Sequence, residues 1–70
     1  MKNLNKKIGQ RIKELRKKQG ITMEKLAYES GISKGGLSEL ERGMKEPRIS
    51  TLVKIVENLD VSLSEFFKID

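Results

Sequence analysis

The tightest constraint on this chain is the spacing around Gly31. A helix-like apolar pattern runs up to it, and Ser33 follows after one intervening residue, Ile32. Glycine ends helices because it enters the left-handed region without strain. Serine opens them because its hydroxyl accepts from a first-turn amide that has no intrahelical partner. Gly31 and Ile32 are thus the only residues between one helix end and the next helix cap. Two short helices joined this closely form either a helix-turn-helix or an ordinary helical hairpin. Ala27 is small where such helices cross, and Ile32 is apolar in the turn, where it can plug the core between them.

The same punctuation recurs along the chain. Gly20 and Gly43 are two further stops, and Thr22 is a further cap. Between them run apolar stripes at helical spacing. Leu4, Ile8, Ile12 and Leu15 mark a first helix, and Met23, Leu26 and Ala27 a second. Leu37 and Leu40 mark a third, and Leu52, Ile55, Val56 and Leu59 a fourth that begins just after Pro47-Arg48. Ser62 and Glu65 have the spacing of a capping box. They open a short fifth helix with Leu63, Phe66 and Phe67. No segment alternates as a strand would. The expectation is an all-α fold of five short helices forming one domain over residues 1–70.

Composition removes several functions. The chain has no cysteine and no histidine, which excludes a disulfide framework, a zinc finger and Cys- or His-based catalysis. No nucleophile–base set is apparent, so neither an enzyme nor a cofactor or metal site is expected. The N-terminal charges have no apolar run behind them, and no stretch is long enough to span a bilayer; a cytoplasmic protein is the default expectation. Residues 1–20 carry eight basic side chains and one acidic, a net +7, while 21–43 and 44–70 are each net −1. That concentration is either a solvated helix face or an attraction toward a polyanion.

The run GITMEKLAYESGISKGGLSELERG, residues 20–43, resembles the helix-turn-helix of the lambda-repressor/Cro-like (XRE) family of DNA-binding regulators. The likeness extends upstream through IGQRIKELRKKQGIT and downstream through EPRISTLVKIVENLDVSLSEFF, covering roughly residues 5–67. The Leu-Ala pair, the glycine turn, the serine cap and the Glu-Arg-Gly ending occur jointly at the family's offsets. The resemblance implies a lambda-repressor-like five-helix domain whose motif, about residues 22–42, inserts its third helix into the major groove of double-stranded DNA.

Carried over residue by residue, it places Lys34, Gly35, Ser38 and Glu39 at base-reading positions. It places Thr22, Met23, Ser33, Arg42, Lys45 and Arg48 near phosphates, with Lys7 and Arg11 adding longer-range attraction. It also pairs Arg16 with Glu41 as a structural ion pair. Three departures stand out. Met23 replaces the glutamine that usually opens the second helix. Gly35 and Gly36 remove two side chains from the reading helix. Asp60 replaces a turn glycine. One reading helix contacts few base pairs, so a homodimer on a palindromic operator is expected. Its contact surface is expected at Leu63, Phe66, Phe67 and Ile69. Phe66 and Phe67 diverge by about 100° on a helix, so one of the two belongs to the core. The implied function is a dimeric transcriptional repressor; the competing reading is a protein-interaction domain of the same fold, such as an antitoxin.

Overall fold

The structure, a computed structural model, describes residues 3–69; Met1, Lys2 and Asp70, the ends of the expected 1–70 domain, lie outside the described residues. Five helices follow in order: α1 (Leu4–Lys18), α2 (Met23–Glu29), α3 (Lys34–Glu41), α4 (Ile49–Asn58) and α5 (Leu63–Phe66). Their boundaries are set by local chemistry. The Oγ1 of Thr22 accepts from the Lys25 amide at 3.1 Å, Ser33 Oγ from Gly36 at 2.9 Å and Ser62 Oγ from Glu65 at 3.0 Å. Each hydroxyl satisfies one amide that the helix itself leaves free. Gly20, Gly31 and Gly43 all have φ near +70° (70°, 72° and 72°), as a left-handed exit from a helix requires.

The apolar stripes meet in one core. Ile8, Ile12, Leu15, Leu26, Ala27, Leu37, Leu40, Ile55, Val56, Leu59 and Phe66 are buried together. Leu4, Met23, Ile32 and Leu52 pack against this core while half-buried, so the first residue of the α1, α2 and α4 stripes is only partly covered. α1 packs on α3, α2 on both α3 and α4, and α4 on α5. α3 is thus held from two sides by its Leu37 and Leu40 edge.

Two expectations at α5 need correction. Phe66 is fully buried in the core, so it is not available to a second subunit, whereas Phe67 is 43% exposed. The rings meet edge to face, with centroids 5.1 Å apart. The capping box is made only in part. Ser62 caps the Glu65 amide, but the Glu65 carboxylate instead faces Arg11 at 3.2 Å and Lys68 at 3.5 Å. Arg11 itself differs from its expected role. Its Nε donates to the Phe66 carbonyl at 3.0 Å and its Nη2 to the Glu65 carbonyl at 2.8 Å. An arginine near a helix C-terminus satisfies carbonyls that the helix leaves unpaired. Arg11 therefore fixes a four-residue helix on α1 instead of standing free as a surface charge.

Asp60 has φ of +58°, the conformation that glycine adopts without strain. Asp60→Gly is expected to be neutral or to stabilise by up to about 1 kcal/mol, and Asp60→Val to cost about 1–2 kcal/mol. In a domain of this size a change of about 1 kcal/mol moves the melting temperature by roughly 4–8 °C, so thermal denaturation followed by circular dichroism separates the two variants. A glycine variant that melts well below the parent would contradict this account.

Candidate nucleic-acid interface

α3 is short, and its two edges differ sharply. Leu37 and Leu40 face inward, at 0% and 5% exposure. Lys34, Gly35 and Glu39 lie exposed on the outer edge, and Ser38 is half-buried beside them. Of the four positions expected to read bases, three are therefore exposed to solvent. Gly35 needs no glycine for structural reasons. A Cβ there would meet nothing within 4 Å, and its φ lies outside the left-handed region. Gly36 is tighter, since a Cβ would lie 3.1 Å from the capping Ser33 Oγ.

The residues expected near phosphates fall into three groups around α3. Ser33, Lys45 and Arg48 share a groove of about 290 Å³ with Gly36 and Thr51, between the start of α3 and the loop leading to α4. Thr22 lies in a shallow depression with Glu24, Lys25, Tyr28 and Lys34. Met23, at the start of α2, turns its side chain toward the core, leaving only its backbone to a ligand. Arg42 lies at the far end of α3, beside Lys6, Lys13 and Lys17 of α1. Lys7 stands on another part of α1, near Lys68 and Ile69.

Several of these neighbours carry no sequence signal of their own. Lys6, Lys13 and Lys17 are ordinary polar-face residues in the α1 pattern, and only the packing of α1 on α3 brings them to Arg42. Tyr28 is 86% exposed next to Lys34; it lies off the Met23, Leu26, Ala27 stripe, the one available hint that it faces outward. Met44 and Ile49 are further exposed apolar residues, at 66% and 82%. On α5 and just after it, Leu63 and Phe67 are exposed, and Ile69 is half-buried.

Arg16 and Glu41 fix how α1 meets α3. Arg16 Nε donates to Glu41 Oε2 at 2.7 Å and Nη2 to Oε1 at 3.0 Å, while Nη1 reaches the Ile21 carbonyl at 3.0 Å. Both side chains are nearly buried, at 10% and 5% exposure. This forked geometry is the strong form of an ion pair. A second clamp sits at the C-terminal ends of α2 and α4. The Asn58 amide nitrogen lies 3.2 Å from the Glu29 carbonyl and 3.3 Å from Ser30 Oγ, and Ser30 is buried. Among the described residues no three His, Cys, Asp or Glu side chains gather as a metal site would require, and no helix is long and apolar enough to cross a membrane.

A solvent-facing third helix, tightly capped and anchored from behind, is the arrangement of a helix-turn-helix reader, and a helix-turn-helix family profile matches residues 12–66. The chain belongs to the helix-turn-helix family. It is 44% identical over 57 residues to the HTH-type transcriptional regulator SinR of Bacillus subtilis, covering 80% of this chain and 51% of that protein. The fold superposes on the restriction-modification controller protein C.AhdI of Aeromonas hydrophila with a TM-score of 0.85, at 33% identity, over 90% of this chain and 96% of that one. It superposes on C.Esp1396I bound to a 25 base pair operator site with a TM-score of 0.84, at 35% identity, over 93% and 86%. The chain spans 32–51% of the length of several curated regulators that it matches, and 78% of another.

Proposed function

We propose that this helix-turn-helix domain binds double-stranded DNA in a sequence-specific way and regulates transcription as a homodimer, by occupying a palindromic operator in the cytoplasm without a catalytic step or a cofactor. The observation that carries this reading is the outer edge of α3, where Lys34, Gly35 and Glu39 are exposed, with Lys45 and Arg48, Arg42 with Lys6, Lys13 and Lys17, and Lys25 around it, interspersed with Glu46, Glu14 and Glu24. The likeness to a controller protein bound to its operator supports it.

In this reading Lys34 donates to guanine O6 or N7, and Glu39 accepts from cytosine N4. Ser38 donates or accepts, and Gly35 allows close approach of the helix backbone. Ser33, Lys45 and Arg48 hold one stretch of phosphates, Arg42 another, and the Thr22–Met23 backbone at the start of α2 a third. The described residues extend 29 Å at most, less than the roughly 34 Å of one DNA turn. One copy therefore reaches one half-site, and Leu63, Phe67 and Ile69 supply the contact to a second copy.

The test is selection from a randomised duplex library at about 0.15 M salt, where the Debye length is about 8 Å. An inverted repeat is expected. Lys34→Ala should change which bases are enriched. Arg42→Ala should weaken all sequences alike and lower the salt slope by about 1. Equal weakening of every sequence by both variants would remove Lys34 from the major groove. Absence of any enrichment, with binding that depends on salt alone, would favour a protein-interaction domain of the same fold.

A further inference from the structure

We propose that Glu24 is a specificity-determining residue that acts by positioning Lys34; the proposal rests on the reading of α3 as the base-contacting helix. Gly35 and Gly36 follow Lys34 directly, so the first turn of α3 carries one long side chain. A lone lysine is a poor reader, because its ammonium is a point charge on a flexible stem and serves a phosphate as well as a guanine. Here that ammonium is not left alone. Lys34 Nζ lies 3.7 Å from Glu24 Oε1 across the gap between α2 and α3.

The pair is not explained by stability. The two side chains are 59% and 78% exposed, and exposed pairs contribute little to folding. Glu24 also carries an electrostatic cost for binding. It shares its depression with Thr22, Lys25, Tyr28 and Lys34, on the face that meets the duplex, where a carboxylate is repelled by phosphates. That repulsion weakens binding to every sequence alike. What the carboxylate gives in return is direction. It draws the ammonium away from neighbouring phosphates and holds it at the start of the reading helix, so that Lys34 gains most where a base edge meets it there. Glu24 thus lowers general affinity and raises discrimination.

The experiment measures affinity for the selected duplex and for a random-sequence duplex of equal length, at about 0.15 M salt. Glu24→Gln is made alone and in a Lys34→Met background. Alone, it should tighten random-duplex binding by about two- to five-fold and lower the selected-to-random ratio by about two- to five-fold. In the Lys34→Met background it should still tighten random binding but leave the ratio unchanged. Glu24→Asp keeps the charge and shortens the reach, so it should tighten random binding less than Glu24→Gln does and still lower the ratio. A carboxylate acting only on the α2 helix terminus would shift melting and leave the ratio alone. An unchanged or higher ratio in Glu24→Gln, or an equal fall in both backgrounds, would overturn the proposal. If the parent selects no duplex sequence at all, the DNA-reading function fails and this role fails with it. If the parent selects and only the Glu24 variants fail to respond, the failure belongs to Glu24 alone.

Discussion

Replacing Gly9 with alanine is expected to cost about 3 kcal/mol or more, at the upper end of what overpacking usually costs. Gly9 lies on the buried face of α1. A Cβ there would stand 2.1 Å from the Leu40 carbonyl oxygen, 2.8 Å from that of Glu41 and 2.9 Å from the Glu41 carbonyl carbon. These are backbone atoms at the end of α3 and cannot rotate away, so relief requires α1 and α3 to separate. The better helix propensity of alanine offsets only about 1 kcal/mol. A domain of this length has about 4–10 kcal/mol of total stability, so the loss removes a large share of it. Urea unfolding followed by circular dichroism at 222 nm measures the effect. A variant within about 1 kcal/mol of the parent would mean that α1 and α3 do not approach this closely in solution.

Gly9 also marks where the sequence stops being legible. Helix ends are written locally, in pairs such as Gly31 and Ser33, and the five helices follow from such pairs and from the stripes between them. The left-handed Asp60 was readable only through the family likeness, in which the turn after α4 suits glycine. Close approach between distant segments is written nowhere locally. Gly9 is separated from Leu40 by the rest of α1, all of α2 and most of α3, and its only trace is a lone glycine beside an apolar stripe. Arg11 is a similar case. Its position among the basic residues of α1 suggests a free charge, yet α5 folds back and offers it two carbonyls. The adjacent phenylalanines divided as helical geometry requires, but which of them is core depended on where α5 docks. At the candidate interface, the motif made legible which α3 residues face outward, Lys34, Gly35 and Glu39 lying exposed and Ser38 half-buried. Their grouping with Lys6, Lys13, Lys17 and Tyr28 was not, because it arises from helix packing.

The packing of α1 on α3 has a second anchor, and its removal is the other large expected effect. Arg16→Met should cost about 3–5 kcal/mol. It strips two donors from a Glu41 side chain that is 5% exposed and leaves the Ile21 carbonyl without its 3.0 Å partner. Arg16→Lys keeps the charge but not the fork. One ammonium cannot reproduce three directed bonds, so a smaller loss is expected. The pair Arg16→Met with Glu41→Leu should recover much of the stability, because it removes both buried charges together. A double-mutant cycle in urea should therefore show strong coupling, and additive single effects would mean that the fork is not made in solution. Recovery of stability would then separate two roles. Gly9 lets α1 and α3 approach closely, and the fork joins them through Arg16 and Glu41, so the double variant tests whether the fork also sets the angle that aims the outer edge of α3. If the double variant folds like the parent but discriminates less well between duplex sequences, the ion pair serves the aim of the reading helix. Unchanged discrimination would assign the aim to apolar packing around Leu37 and Leu40.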